Sequence, residues 1–399
     1  MCFVNAKAFV ARKHSRVNGF AFPNDKSQYR SVVTSLAIQS SKHRYRVLIA
    51  PDLLGQVGQT LQDAKLPSGQ CAIISDTNVG PLFAGALAKN LRSAGYEPKL
   101  ITVPATEKSK SLEQAGEICE QMLSAGLGRE SFIVGLGGGV IGDLSGFVAS
   151  IFERGIPHIQ IPTTLLAMVD SSIGGKTGVN ARAGKNLIGT VHPPTLVLDD
   201  VDVLKTLPRG EITQGFAEII KHAVIADAEM FEELMQFDVS KLECLKHSSF
   251  QEQFVSVIRR NVEIKSRIVE KDEREEKGGR ALLNFGHTIG HGIERAADYC
   301  GIGHGEAVSL GMVAACEISM KKADLSKQER DRIVDLLRKF GLPIELPKKI
   351  PREKILDALK FDKKFARGQI RFVVTPKIGS ASLSRDVTMD DIRAAVNEL

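Results

Sequence analysis

Short apolar runs that alternate with helical patterns dominate the chain from residue 45 onward. The runs are rich in Val, Ile and Leu and have the length of buried strands. Predicted strands cover residues 46–49, 71–75, 99–103 and 132–136, and predicted helices cover about 80–95 and 112–126. Alternating β and α units of this length predict a mostly parallel sheet with helices on both faces.

Beyond about residue 205 the apolar spacing becomes almost wholly helical. Helices are predicted over residues 211–236, 251–272, 284–297, 304–322 and 327–340, and a short strand-like run covers 370–374. We therefore predict an α/β, Rossmann-like N-terminal domain over residues 45–204. An α-helical, metal-binding C-terminal domain is predicted over residues 205–399. The active site is expected in the cleft between the two domains.

Charge is distributed unevenly along the chain. The net charge is +6, but residues 1–46 hold nine Lys or Arg and one acid, so the remaining residues are slightly acidic. A body of that charge, without basic runs interleaved with aromatics, argues against a nucleic-acid partner. Six scattered cysteines without CxxC spacing indicate reduced thiols, and no apolar run approaches the length of a membrane span.

The first 44 residues have the composition of an appendage. They are rich in Ser, Arg, Lys and Asn and show no sustained apolar period. A transit peptide, a disordered leader and a start assigned too far upstream all fit this composition. We expect a cytoplasmic protein, with a plastid or another organelle as the alternative if the leader is a transit peptide. A chain starting near Lys42 is expected to fold and to keep its kcat.

Histidines and a carboxylate in the second half predict a metal site. His287 and His291 lie four residues apart on one face of a predicted helix, and His304 follows after a turn. Upstream, Glu218 and Lys221 share a face of an apolar helix, where buried charges need a partner or a metal. Glu218, His287 and His304 would leave one zinc position open. The alternatives are a phosphate site, or polar residues packed at a helix end.

Two glycine-rich stretches predict anion binding. Three glycines, 137–139, follow a predicted strand directly and would let a backbone approach a pyrophosphate at a helix N-terminus, although a packing turn is the alternative. Asp76 at a strand end could accept from a ribose hydroxyl, or could cap a turn. Lys176 and Lys185, each beside a glycine, are suited to an anionic substrate.

These motifs, together and in order, resemble the 3-dehydroquinate synthase family of sugar-phosphate cyclases. The resemblance rests on residues 137–143, 154–186, 215–221 and 280–287 and extends from about residue 45 to the C-terminus. It implies a homodimeric lyase of aromatic amino acid biosynthesis that uses NAD and one divalent metal, zinc or cobalt. The implied reaction converts 3-deoxy-D-arabino-heptulosonate 7-phosphate to 3-dehydroquinate and phosphate. It proceeds by transient oxidation, phosphate elimination, reduction and intramolecular aldol closure.

The resemblance also implies roles for individual residues. The metal ligands would be Glu218, His287 and His304. NAD would be held by Asp76, Asn78, Glu107, Lys110, Gly138, Gly139, Asp143, Thr163 and Thr164. The catalytic residues would be Asp170, Lys176, Lys221, Lys265, Arg280, Asn284 and His291. Further substrate contacts would come from Lys185, Asn186 and Lys363, and from Arg154 reaching the neighbouring subunit.

Three other functions remain as alternatives. The first is a sister cyclase acting on sedoheptulose 7-phosphate, which has no carboxylate. Arg280, with Lys265 and Asn284, discriminates against it because a guanidinium is suited to bidentate carboxylate recognition. The second is a metal-dependent alcohol dehydrogenase, and the third is a binding protein without catalysis. Residues 181–183 and 190–194 depart from the usual family pattern, but neither segment contains a predicted functional residue.

Overall fold

The computed structural model describes residues 33–39, 43–243, 248–272, 278–298, 301–360 and 370–399. The strands are β1 Thr34–Gln39, β2 Arg44–Ala50, β3 Gln70–Asp76, β4 Glu97–Val103, β5 Phe132–Gly137, β6 His158–Pro162, β7 Lys176–Ala181, β8 Gly184–Val191, β9 Leu196–Asp200, β10 Phe372–Lys377 and β11 Ser380–Ser384. The helices are α1 Val57–Asp63, α2 Gly85–Ser93, α3 Leu112–Ser124, α4 Gly139–Ile151, α5 Arg209–Ala226, α6 Ala228–Gln236, α7 Ser248–Lys271, α8 His287–Ala296, α9 His304–Lys322, α10 Lys327–Lys339, α11 Arg352–Lys360 and α12 Met389–Glu398.

A seven-stranded sheet forms the centre of the N-terminal half, in the order β1-β2-β9-β6-β5-β3-β4. Every neighbouring pair is parallel except β1 with β2. The predicted fold class, an α/β sheet domain followed by a helical region, is confirmed. Because β3, β5 and β6 are adjacent and parallel, their carboxyl ends at Asp76, Gly137 and Pro162 lie on one edge of the sheet.

Among the strands that were not predicted from the sequence are two central strands and a hairpin. β6 and β9 are five residues long and completely buried, and they join β2 to β5 in the middle of the sheet. Residues 176–191, whose glycine-flanked lysines predicted an anion-binding loop, form the antiparallel hairpin β7–β8. Their glycines and polar residues hide the two-residue period that would reveal a strand.

The folded body begins earlier than the predicted boundary at residue 45. Residues 34–39 form β1, which pairs antiparallel with β2 along its whole length. Ile38 of β1 is buried in the main core, and the backbone N–H of Gln39 donates to Glu270 on α7 at 2.9 Å. The edge strand is held by β2 and by the distant helix α7. The composition of residues 1–44 alone reveals neither contact.

A chain that starts at His43 is therefore expected to be less stable than one that starts at Val33. Loss of β1 exposes the edge of β2 and removes the buried Ile38, so we expect a loss of about 2–4 kcal/mol in the free energy of unfolding. Urea denaturation of the two truncated chains measures it. Equal stabilities would show that β1 contributes nothing to stability and that the predicted boundary at residue 45 was adequate.

The long helix predicted over 211–236 is two helices. Asp227 has extended backbone angles, ends α5 and caps α6, accepting from the Met230 N–H at 3.0 Å. The α5 helix is buried over most of its length, as its apolar sequence predicted. Its side chains share one core with α7 to α12 and with Val47, Ile49 and Val197 on one face of the sheet. In the described residues no helix is both long and apolar enough to cross a membrane.

Asp199 on β9 is a buried carboxyl group on the same face as Val197. It is fully buried, and neither carboxyl oxygen has a hydrogen-bond partner among the described residues. Burial raises its pKa well above the usual value for an aspartate. Its cost to folding is therefore smallest below the unfolded-state pKa, and stability falls as the pH rises from the unfolded-state pKa to the folded-state pKa.

Replacing Asp199 with Val is expected to stabilise the protein by about 1–3 kcal/mol at pH 7.5 and by less at pH 5. The neighbouring Asp200 provides the control. Its carboxylate accepts from the backbone N–H of Leu54 at 2.8 Å and of Asp202 at 2.9 Å, so Asp200→Val should destabilise. Urea denaturation at both pH values gives the two differences. A destabilised Asp199→Val variant would show that the carboxyl has a partner.

Candidate active site

One cavity of about 1530 Å³ lies at the carboxyl edge of the sheet, between the sheet and the helical region. All nine residues predicted to hold NAD line it. The remaining predicted residues on its wall are Asp170, Lys176, Lys185, Asn186, Lys265, Arg280, His291 and His304. The cavity thus joins sequence motifs that lie more than 200 residues apart.

The glycine turn lies where β5 passes into α4. Gly138 is the extended N-cap of α4, and Gly139 is its first residue. A Cβ atom added to Gly138 would lie 3.2 Å from the Thr164 methyl group, and one added to Gly139 would lie 3.1 Å from the Ser171 hydroxyl. Side chains here would narrow the cavity. The Thr163 hydroxyl beside this turn is buried without a partner in the described part of the chain. A backbone turn, a helix N-terminus and an unpaired hydroxyl fit the pyrophosphate of NAD.

Polar residues surround this turn. Asp76 accepts from the backbone N–H of Asn78 at 2.8 Å and of Val79 at 2.9 Å, so it caps the turn after β3 as well as lining the cavity. The Lys110 ammonium contacts both Asp143 and Asn186. Burial raises the pKa of Asp143, and the Lys110 ammonium opposes this shift. Lys110 therefore connects the turn at α4 to the hairpin β7–β8.

Glu218, His287 and His304 converge as the sequence predicted. Their candidate ligand atoms all lie within 4.8 Å of one another. Glu218 Oε1 is 3.3 Å from His287 Nε2 and 3.9 Å from His304 Nε2, and it is buried without a hydrogen-bond partner in the described residues. The other Glu218 oxygen accepts from Lys221. His291 is not one of these three ligands, although its ring centre lies 5.4 Å from that of His287.

The second nitrogen of each histidine ligand is also held. His287 Nδ1 lies 3.2 Å from the Phe285 carbonyl oxygen, and His304 Nδ1 lies 3.4 Å from Glu294 Oε1. An Nδ1–H that donates outward leaves the Nε2 lone pair for a metal, and this pattern is usual in metal sites. Burial, reinforced by Lys221, lowers the pKa of His287 well below its usual value, so this imidazole is neutral. The three side chains therefore fit a divalent cation with an open position.

Cationic side chains gather beside the metal cluster. The Lys265 ammonium donates to the backbone and side-chain oxygens of Asp170, both at 2.5 Å. Burial lowers the pKa of Lys265, while Asp170 opposes that shift. Burial alone would raise the pKa of Asp170, but Lys265 and Lys221 hold it below its usual range. Arg280 is 4% exposed and lies close to Gly174. This wall can receive an anion.

Some predicted residues are not on the cavity wall, and these include the predicted metal ligands Glu218 and His287. Arg154 is exposed, with a φ of 68°, and lies away from the described lining. Asn284 ends a short 3-10 turn and is partly buried. Lys221 is buried with Glu218 behind the lining residues. The prediction for Lys363 lies outside the described residues.

Two residues that the sequence did not single out support the site. Glu294 on α8 accepts from His304 Nδ1 and contacts the Lys185 ammonium at 3.3 Å. Burial would raise its pKa, but His304 and Lys185 hold it at about 2, so it is a carboxylate. Gln214 on α5 contacts the start of α9, where His304 lies. The spacing of Glu294 seven residues after His287 was a usable signal, because both lie on one helix face.

Comparisons with known proteins point to one family. Residues 100–214 match the family described as 3-dehydroquinate synthase N-terminal, and residues 215–365 match its C-terminal counterpart. The chain is 42% identical to the 3-dehydroquinate synthase of Thermodesulfovibrio yellowstonii, over 91% of this chain and 99% of the relative. The two family matches cover the cavity residues from Pro104 onward but not Asp76 or Asn78.

Two solved structures share the fold. The 2-epi-5-epi-valiolone synthase from Streptomyces hygroscopicus, with NAD⁺ and Zn²⁺ bound, is 32% identical with a TM-score of 0.81, covering 90% of this chain and 98% of that one. A 2-deoxy-scyllo-inosose synthase complexed with carbaglucose-6-phosphate, NAD⁺ and Co²⁺ is 26% identical with a TM-score of 0.81, covering 92% and 100%. The resemblance seen in the motifs is confirmed: the chain belongs to the 3-dehydroquinate synthase family.

Proposed function

We propose that the protein converts 3-deoxy-D-arabino-heptulosonate 7-phosphate to 3-dehydroquinate and phosphate, as a lyase of aromatic amino acid biosynthesis. One observation carries the proposal. A glycine turn at a helix N-terminus and a wall of lysines and arginine line a single cavity, and a Glu–His–His cluster reaches the same cavity through His304. The reaction needs these three elements, for a divalent cation, for NAD and for an anionic substrate.

Glu218, His287 and His304 would hold the cation, and the turn at Gly138 and Gly139 would hold the pyrophosphate of NAD. When bound, NAD accepts and returns a hydride and the cation polarises the hydroxyl that is oxidised. Lys221 balances the Glu218 charge, and the Phe285 carbonyl and Glu294 orient the two imidazoles. The chain itself supplies position and charge.

The substrate carries two anionic groups, and the cavity offers two sets of cations. Arg280 and Lys265 line the inner wall beside Asp170, and we assign them to the carboxylate because a guanidinium can donate two parallel N–H groups. Lys176, Lys185 and Asn186 come from the hairpin β7–β8 and are assigned to the phosphate end. Asp170 orients the Lys265 ammonium, while Asn284 and His291 are assigned to substrate hydroxyls.

We further propose a cytoplasmic homodimer. Arg154 is exposed and lies away from the cavity of its own chain, which fits a side chain that reaches the phosphate end of a neighbouring subunit. Sedimentation of the purified protein tests the dimer. Mixing two inactive variants, Arg154→Ala and His287→Ala, should then restore part of the activity if each mixed dimer has one complete site.

A substrate comparison tests the proposed reaction. The purified protein is incubated with catalytic NAD and either the heptulosonate phosphate or sedoheptulose 7-phosphate, and both phosphate and NADH are measured. We expect phosphate release from the acid sugar only, no steady build-up of NADH, and loss of activity with a chelator. Preference for the non-acid sugar would identify a sister cyclase. Accumulating NADH would identify a dehydrogenase.

A further inference from the structure

The N-terminus of α9 is capped by a side chain from another helix. Gly303, its N-cap, has no side chain to accept from the first turn. Gln214 Oε1 on α5 accepts instead from the backbone N–H of Gly305 at 2.5 Å and of Glu306 at 3.2 Å. These two N–H groups are the ones that an N-cap Ser, Thr or Asp normally satisfies.

Glycines allow this close approach. A Cβ atom added to Gly305 would lie 2.5 Å from the Gln214 carbonyl oxygen, and one added to Gly303 would overlap the Gln214 side-chain amide. The backbone angles of Gly303, φ −78° and ψ 159°, are open to any residue. Contact with α5, not backbone conformation, therefore accounts for glycine at position 303.

The cap connects the two helices that carry the metal ligands Glu218 and His304. Gln214 lies four residues before Glu218, so both side chains project from the same face of α5. His304 is the first residue of α9, immediately before the two N–H groups that Gln214 accepts from. The ring of His304 is oriented by Glu294, but the position of its backbone relative to Glu218 depends on how α9 is attached to α5.

We propose that Gln214 is a positioning residue of the metal centre. It attaches the first turn of α9 to α5 and so sets the distance between His304 Nε2 and Glu218 Oε1, which is 3.9 Å here. The role rests on the proposed metal site but not on the identity of the sugar phosphate. Partners that orient ligands typically contribute 10- to 100-fold in metal affinity, so we expect about that loss when the attachment is removed.

The experiment separates attachment from capping. Metal affinity of the metal-free protein is measured by competition with a chromophoric chelator, and stability by thermal unfolding, for the parent, Gln214→Ala and Gln214→Ala/Gly303→Ser. In the double variant, the new serine can cap α9 locally in the space that the alanine leaves, but α9 is no longer attached to α5. Gln214→Glu keeps an acceptor at the same reach, and Thr213→Val, which loses a bond to the Phe340 carbonyl, is the control on α5.

We expect Gln214→Ala to lose about 10- to 100-fold in metal affinity, with Gln214→Glu and Thr213→Val close to the parent. The double variant should regain thermal stability but not metal affinity. Full recovery of affinity in the double variant would overturn the proposal, since capping alone would then suffice. Unchanged affinity in Gln214→Ala would overturn it as well. If Gln214→Ala does not fold, the metal affinity of the double variant is compared with that of the parent, and the same loss in the double variant supports the proposal. A parent that binds no metal would instead refute the metal centre itself.

Discussion

The variant His287→Ala is expected to lose more than about 100-fold in metal affinity and nearly all activity. His287 Nε2 lies 3.3 Å from Glu218 Oε1, and its Nδ1 is held by the Phe285 carbonyl, so the side chain is fixed as a ligand. Even partners that only orient a ligand contribute 10- to 100-fold, and a direct ligand should contribute more. Equilibrium dialysis of zinc or cobalt, followed by the phosphate-release assay, measures both losses.

A matched control removes an imidazole from elsewhere. His192 stacks on His158 with ring centres 5.2 Å apart and does not line the cavity among the described residues. His192→Ala should therefore keep the parent's metal affinity. Unchanged circular dichroism in His287→Ala would show that the sheet domain stays folded. Wild-type activity in His287→Ala after dialysis against a chelator would refute the assignment.

The variant Arg280→Gln is expected to lose about 100-fold or more in kcat/KM for the acid sugar phosphate. The guanidinium is buried on the cavity wall beside Lys265, where an ion pair with a substrate carboxylate would be protected from water. Removing one partner of such a pair costs about 2–5 kcal/mol. The activity on sedoheptulose 7-phosphate, which has no carboxylate, should fall far less, so the ratio of the two kcat/KM values reports the role directly.

Arg332→Gln is the control for loss of a guanidinium. Arg332 pairs with Glu232 outside the described cavity lining, and the change should leave both kcat/KM values near the parent's. Metal affinity should also be unchanged in Arg280→Gln. Equal losses on the two sugars would mean that Arg280 maintains the shape of the cavity and does not recognise a carboxylate.

Local patterns in the sequence predicted the parts of the site that lie on single elements. His287 and His291 share a helix face, and Glu218 and Lys221 share another, because four- and three-residue spacings place side chains together on a helix. The glycines of the turn into α4 directly follow a predicted strand, so this turn could also be located from the sequence. Glu218 was grouped with His287 because a buried carboxylate needs a partner or a metal, and not because of their spacing.

Contacts between distant segments were beyond the sequence. Gln214 acts on the backbone of Gly305 across 91 positions, and a backbone N–H carries no sequence signature. β1 is stabilised by β2 and by Glu270, so its polar surroundings in the chain concealed it. β6 and β9 are too short for a period to be read, and their position in the sheet comes from pairing.

The buried pair of Lys221 and Glu218 has a consequence for how the protein acquires its cation. An unpaired buried carboxylate destabilises a fold by several kcal/mol, but here a neighbouring ammonium offsets the charge whether or not a cation is present. The protein can therefore fold before it binds the cation. Small zinc domains differ, because they unfold when the metal is chelated. Protein from which a chelator has removed the cation should remain folded and should regain activity on addition of either zinc or cobalt. The occupant in a cell would then follow the supply of each ion and its intrinsic affinity, and could change during the life of one molecule.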